Sequence, residues 1–281
     1  EYLAKTLQGL EGVLADELRA LGAKDIQVQR RAVSFKGDKK CLYKANFWLR
    51  TALRILKPVA TFQVKSPDDV YTAIKKLKLE EFITADKTFS IDTTVYSETI
   101  NHSRYVTYKA KDAIVDYFSE KYGKRPSVSV ANPDIYFNLH ISHTTCTLSL
   151  DSSGAPLFKR GYRVAQTEAP INEVLAAGLL MLSGWKGQCD FIEPMCGSGT
   201  IAIEAAMIAL NMAPGLFRKE FAFERWADFD RDMFDEIYND DSLEREFKHK
   251  IYASDVSAKA IGIANANIKS AGLGRYIETK V

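Results

Sequence analysis

Cys189-Asp190-Phe191-Ile192-Glu193-Pro194-Met195-Cys196-Gly197-Ser198-Gly199-Thr200-Ile201-Ala202-Ile203-Glu204-Ala205-Ala206 reads as a buried strand that runs into a glycine turn and then directly into a helix. Phe191 and Ile192 supply the apolar strand, and Pro194, lacking an N–H to donate, ends it. Gly197 and Gly199 permit positive φ and let a ligand approach bare backbone. Ser198 or Thr200 is expected to cap the helix, which Ile201, Ile203, Ala205 and Ala206 make largely buried. Strand, glycine turn and helix N-terminus together form the geometry that holds a nucleotide-type ligand at the carboxyl end of a sheet.

Charge decides which ligand. Gly197, Gly199 and Ala202 satisfy the spacing of the dinucleotide fingerprint, but that spacing alone is weak. Glu193 stands at the strand end, where its carboxylate would repel a pyrophosphate and would suit the ammonium group of an amino-acid tail. S-adenosylmethionine has such a tail and no phosphate. Further on, Ile251-Tyr252-Ala253-Ser254-Asp255 reads as a second parallel strand. Asp255 at its carboxyl end can accept both ribose hydroxyls of an adenosine, since a carboxylate accepts two donors at once.

The chain of 281 residues, 46% hydrophobic and 26% charged, is long enough for two or three domains. Its net charge of +2 hides an asymmetry. Residues 1–165 carry 26 Lys+Arg against 18 Asp+Glu, whereas residues 166–281 carry 12 against 18. A basic front joined to an acidic back suggests a polyanion-binding module attached to something else. The four cysteines, Cys41, Cys146, Cys189 and Cys196, form no CxxC pair, so neither a zinc site nor a disulfide framework is indicated. His140 and His143 fall on opposite faces of a strand and make a poor metal pair. The longest apolar run, Val174 to Leu182, is too short to span a bilayer, and no signal-peptide pattern opens the chain; a cytoplasmic protein is expected.

In chain order, Leu10, Val13, Leu14, Leu18 and Leu21 predict a helix stopped by Gly22, and strands follow around Ile26–Val28 and Val33–Phe35. Asp38 is expected to cap a second helix, and a strand covers Ala52 to Val64. This density suggests a small ferredoxin-like α+β segment over 1–65. Ser66-Pro67-Asp68-Asp69 opens a second module, 66–153, with a helix, a strand at Thr88–Tyr96, a long helix from His102 to Lys121 and a hairpin around Ser142–Thr145. Its outward positions Arg104, Lys109, Lys111, Lys121, Lys124 and Arg125 together suit a phosphate backbone. A linker, 154–170, contains Lys159-Arg160-Gly161-Tyr162-Arg163. Three cations around an aromatic on a glycine-bearing loop suit nucleic acid, and equally suit a hinge salt-bridged to the acidic domain. Thr167-Glu168-Ala169-Pro170 is expected to start a helix through Leu175, Leu179 and Leu182. The aromatic stretch 211–248 reads as an insertion over the sheet, with Trp226 in the core and a helix near Asp228–Tyr238. Ser257 is expected to cap the helix after Asp255.

Glu193-Pro194-Met195-Cys196-Gly197-Ser198-Gly199-Thr200 closely resembles the DPMCGSGT motif of the THUMP-domain RNA guanine-N2 methyltransferases. The 159–163 junction, Glu168-Ala169-Pro170 and Ser254-Asp255 also look like that family's, most closely its bacterial 23S ribosomal RNA members of the RlmL type. The resemblance implies a Rossmann-like class I methyltransferase domain, 171–281, preceded by the ferredoxin-like segment and a THUMP domain. It implies S-adenosylmethionine bound by Glu193, Met195, Cys196, Gly197, Ser198, Gly199, Thr200 and Asp255. It also implies RNA delivery by the basic front half, where the charge pattern makes Arg104, Lys109, Lys159, Arg160, Tyr162 and Arg163 the expected RNA contacts; no metal and no membrane are expected. Glutamate replaces the family's aspartate at Glu193, which changes only reach. The family's Asn/Asp-Pro-Pro-Tyr loop, which holds the target amine, does not occur in this sequence and is expected beyond Val281. The expected activity is methylation of a guanine N2 in 23S ribosomal RNA. The alternatives are a transfer-RNA enzyme of the same layout, an NAD(P)-dependent oxidoreductase, or a non-catalytic RNA-binding protein.

Overall fold

The computed structural model describes residues 1–281. The front of the chain forms β1 (Tyr2–Lys5), α1 (Glu11–Ala20), β2 (Lys24–Gln29), β3 (Ala32–Lys36), α2 (Lys39–Trp48) and β4 (Arg54–Gln63). Next come α3 (Pro67–Lys75), β5 (Thr88–Tyr96), α4 (Ser103–Tyr122), β6 (Ser127–Val128), β7 (Ile135–Ser142) and β8 (Thr145–Asp151). The back forms α5 (Glu173–Ser183), β9 (Phe191–Glu193), α6 (Thr200–Leu210), α7 (Arg231–Tyr238), β10 (Ile251–Ser254), α8 (Ala258–Ser270) and β11 (Ile277–Lys280). The contacts divide the chain into two compact units, and neither is continuous in sequence. One comprises residues 1–3, 56–154 and 221–230; the other comprises 4–55, 155–220 and 231–281.

In the first unit the strands run in the order β4-β8-β7-β5-β6. The predicted hairpin forms between β7 and β8, with Ser142 opposite Thr145, and β5 lies parallel to β7. The Ser66 start is a full capping box, with Asp69 and Ser66 each accepting from the other's end of the turn and Pro67 at the first position. Val70 and Ile74 of α3 and Ala110, Ile114 and Phe118 of α4 are buried, as are Phe89, Phe137 and Leu139 on the strands. Residues 221–230 belong to this unit rather than to the sheet that precedes them in sequence. Phe223 N donates to Ser152 O (3.1 Å), Lys87 Nζ to Arg225 O (2.8 Å) and Arg225 Nη1 to Pro133 O (3.0 Å). Phe221, Phe223 and Trp226 are buried there, so this part of the aromatic stretch packs as core with residues 56–154, while Phe217, Phe234 and Phe247 pack within the second unit.

In the second unit a parallel sheet runs β11-β10-β9, with Ile251 opposite both Phe191 and Ile277. α6 is buried along nearly its whole length, including Ala202, Ile203, Ala206 and Met207, as expected of a helix apolar all round. α5 starts later than the sequence suggests. Asn172 caps it, its side-chain oxygen accepting from Val174 N and Leu175 N, while Thr167 to Pro170 remain irregular. Its inward face includes Val174, Ala177, Gly178 and Leu180 rather than Leu175, Leu179 and Leu182. Gly178 lies so close to Leu10 that an added Cβ would stand 2.5 Å from Leu10 Cδ1. Leu175, Leu179 and Leu182 therefore face outward, and Ile192 and Tyr252, paired in register, leave one face of the parallel sheet open.

One charge sits in the middle of α6: Glu204, wholly buried. Arg160, 1% exposed, answers it with Nε and Nη2, each 3.4 Å from a carboxylate oxygen, and Tyr162 Oη donates to Glu204 Oε1 at 2.9 Å. Arg160 also donates to Leu157 O (3.0 Å) and Arg50 O (2.6 Å). Arg50 in turn donates to Met212 O at 2.8 Å, and Glu17 accepts from the Arg50 and Thr51 amides at 2.7 and 3.1 Å. Residues 4–55 and α6 thus share a buried polar network. Removing one partner of a buried ion pair strands the other charge and costs about 3–5 kcal/mol, whereas replacing both with apolar groups recovers much of the loss. Glu204→Gln should therefore lower stability by about that amount, and an Arg160→Met/Glu204→Leu pair should be less damaging than the single change. Urea unfolding of the three variants checks this.

Candidate cofactor site

β9 ends at Glu193, and residues 194–199 form the predicted turn into α6. Gly197 and Gly199 both have positive φ, +54° and +78°. They differ in surroundings. A Cβ on Gly197 would meet nothing within 4 Å, so this backbone opens on free space at the rim of the sheet. A Cβ on Gly199 would stand 3.2 Å from Ala264 Cβ, so glycine there lets α6 and α8 approach closely. Cys196 N donates to Ser254 O (2.9 Å), tying the turn to the end of β10.

The caps are not those expected. Gly199 occupies the cap position of α6 and no side chain caps it. Glu193 instead reaches forward, its Oε2 accepting from Ala202 N at 3.0 Å, so the anion at this helix N-terminus is the strand-end carboxylate. Ser198 and Thr200 are buried, and their hydroxyls accept from Arg163, at 3.2 Å from Nη1 and 2.8 Å from Nη2. Glu193 is 7% exposed. Burial, which disfavours its charged form, pushes its carboxyl up to about 7, with the nearby Asp255 adding to the rise and the Ala202 amide opposing it. An acid raised in the folded state contributes stability below its ordinary value of 4.5, and that contribution is lost as pH climbs through about 7.

Asp255 lies across from Gly197. Its Oδ2 accepts from Gly197 N (3.0 Å) and its Oδ1 from Ser257 N (2.9 Å). These two backbone donors hold its carboxyl below the usual aspartate range. Asp255 is thus an ionised acceptor at neutral pH, oriented by the turn itself. Two apolar side chains beside these groups carry no core role: Met195 is 83% exposed and Val256 is 97% exposed. Val256 was not singled out from sequence. The available signal was its place directly after the strand-end acid.

The residues fit S-adenosylmethionine. Gly197 leaves backbone open, Asp255 would offer a ribose acceptor, Met195 and Val256 would offer apolar surface, and the Glu193 carboxyl would oppose a phosphate. Cys196, Ser198, Gly199 and Thr200 are buried and shape the turn from beneath rather than presenting side chains to a ligand. No group of His, Cys, Asp and Glu residues is arranged to hold a metal, and no helix is long and apolar enough to cross a membrane.

The residues read as nucleic-acid ligands are dispersed. Arg160 and Tyr162 are corrections: both are 1% exposed and bound to Glu204, which leaves no surface for RNA. Burial also pushes the Tyr162 phenol well above its usual range. The hinge reading of this loop is the one that holds. Arg163 turns to Glu173 and the glycine turn. Lys159 is exposed. In the other unit Arg104 is exposed, while Lys109 is paired with Asp68 at 2.6 Å.

The fold and the turn are those of the Rossmann-like, S-adenosylmethionine-dependent methyltransferases. Three family models match the chain: the RlmL ferredoxin-like domain over residues 1–56, the THUMP domain over 64–151, and the RMKL-like methyltransferase domain over 160–281. The protein slr0064 of Synechocystis sp., named as an RNA methyltransferase, is 38% identical over 278 residues, covering 98% of this chain and 72% of that protein. The ribosomal RNA large subunit methyltransferase K/L of Syntrophotalea carbinolica is 39% identical over 99% of this chain, which spans 40% of that protein. Among solved structures, SMU.472, described as a methyltransferase and complexed with SAH, superposes with a TM-score of 0.87 at 32% identity, over 99% of this chain and 74% of that one. The chain belongs to the THUMP-domain methyltransferase family of RlmK/L type. An NAD(P)-dependent oxidoreductase is thereby excluded.

The two glycines should respond differently to alanine. A left-handed alanine costs roughly 1–2 kcal/mol, which Gly197→Ala should show alone. Gly199→Ala adds the contact with Ala264 and should lower the melting temperature further, as differential scanning calorimetry can measure.

Proposed function

We propose that this chain holds the methyl donor and delivers the RNA in an enzyme that methylates N2 of a guanine in 23S ribosomal RNA. The observation that carries the reading is the match along 99% of the chain to a ribosomal RNA large subunit methyltransferase at 39% identity. In this reading the backbone at Gly197 and the Asp255 carboxylate hold the nucleoside and Glu193 meets the amino-acid tail, and it is supported by the bonds that orient the two acids, Gly197 N to Asp255 and Ala202 N to Glu193. Bound S-adenosylmethionine supplies an activated methyl group, so the protein's task is chiefly positioning. The THUMP module, 66–153, brings the RNA through exposed cations such as Arg104, with Lys159 a further contact from the linker. A guanine must leave its stack to reach the donor, which favours loops and junctions as targets.

Incubating the protein with unmodified ribosomal RNA and labelled S-adenosylmethionine, followed by nuclease digestion and mass spectrometry, tests this. The expected product is N2-methylguanosine in the 23S species. Methylation confined to transfer RNA would replace the target and keep the chemistry; RNA binding without methyl transfer would overturn the enzyme reading.

Glu193 gives the donor site a pH dependence. Its carboxyl ionises near pH 7, and the ionised form attracts the ligand's ammonium group, so binding should release a proton. SAH affinity should rise from about pH 6 to about pH 7.5, and Glu193→Gln should flatten that rise. Calorimetric titration in two buffers of different ionisation enthalpy checks both points.

A further inference from the structure

We propose that Arg163 is a positioning residue for the glycine turn, holding it in the conformation that accepts the cofactor. The inference rests on the S-adenosylmethionine reading of that turn and goes beyond it, because Arg163 faces the turn from behind.

Every part of the guanidinium is engaged. Nε donates to Glu173 Oε1 at 2.8 Å, Nη1 to Ser198 Oγ at 3.2 Å, and Nη2 to Thr200 Oγ1 at 2.8 Å and to Ile171 O at 3.2 Å. Glu173 is the first residue of α5, and Ser198 and Thr200 flank Gly199. The arginine therefore bridges the start of α5 to both sides of the left-handed residue at the head of α6. A planar fork with fixed donor directions can satisfy such a set at once, and a lysine ammonium cannot. Its side chain is 16% exposed and that of Glu173 6%, so the pair is shielded enough to matter.

The same segment is gripped a second time. Asn267 of α8, 1% exposed, accepts through Oδ1 from Val164 N (2.9 Å) and Ala165 N (3.1 Å). Its Nδ2 donates to Ala165 O (2.9 Å) and to Ser198 O (3.0 Å). Residues 163–165 are thus a strap across the back of the turn, fastened by Arg163 to the hydroxyls and by Asn267 to the Ser198 carbonyl. A turn carrying two positive-φ glycines has many alternatives open to it. With neither Ser198 nor Thr200 acting as a cap, Arg163 restricts those alternatives from outside the turn.

The test separates positioning from simple stability. Arg163→Lys keeps the charge opposite Glu173 and cannot make the paired bonds to Ser198 and Thr200; Arg163→Met loses both. SAH affinity by calorimetry, melting temperature, KM and kcat, and amide exchange at residues 197–200 are measured for each. In Arg163→Lys the melting temperature should stay near that of the unchanged protein while the SAH dissociation constant rises on the order of tenfold, the scale of one lost charge-assisted hydrogen bond. The defect should fall on KM for the donor more than on kcat, and exchange at residues 197–200 should quicken. Unchanged SAH affinity in folded Arg163→Lys would overturn the proposal, and so would failure of that variant to fold, which would make Arg163 a plain structural anchor. If the unchanged protein itself binds no SAH, the cofactor reading fails instead; the exchange rates then still decide whether Arg163 orders the turn.

Discussion

A single buried carboxylate, Glu204, obliges the surrounding structure to be what it is. It lies in the middle of an apolar helix, out of reach of water, and a charge in that position is tolerated only with a partner that also lacks solvent. Arg160 and Tyr162 are that partner. Their need for further acceptors draws in the carbonyls of Arg50 and Leu157, and Arg50 reaches the far end of α6 at Met212. Burial holds the Arg50 guanidinium down to about 10, still well charged at neutral pH. The ferredoxin-like residues, the junction and the helix that begins at the glycine turn are joined by this one polar network.

The same helix shows how one residue type can serve opposite ends. Glu193 and Glu204 are both buried acids of the donor domain, and their environments differ. Glu204 faces two cations and a phenol. Glu193 has one amide donor and a neighbouring carboxylate, and its proton is correspondingly hard to remove. The first is suited to fastening, the second to sensing a cation that comes and goes.

Much of this was legible in the sequence where local chemistry speaks alone. The Ser66-Pro67-Asp68-Asp69 start, the Asp38 and Ser257 caps and the positive φ at Gly197 and Gly199 follow from short-range rules, and all are present. Asp255 is legible as a candidate because a strand-end acid has a defined place in such sheets, and the structure sets it across from Gly197. The misreadings share a cause. Arg160 and Tyr162 look the same in sequence whether they face RNA or fold inward, and only the position of Glu204, 44 and 42 residues away, distinguishes the two. That acid amid Ile203, Ala205 and Ala206 was the overlooked signal, because it demanded a buried cation. The leucines of α5 misled for a similar reason. Close packing on Leu10 selects the small residues Ala177 and Gly178 for the inner face, and spacing alone does not reveal which face is tight.

The excursion of residues 221–230 has a meaning for how the protein is made. During synthesis the ribosome releases β4 to β8 long before it releases Phe223 and Trp226, which complete the packing of that unit. The other unit waits as well, since residues 4–55 are out of the tunnel before their α6 contacts exist. Domains built from continuous segments can mature one after another as the chain emerges. Here the two alternate along the polypeptide, so the first stays unfinished until residues 221–230 appear and the second until residues 231–281 follow. The nascent chain must keep its apolar strands from other partners through that interval.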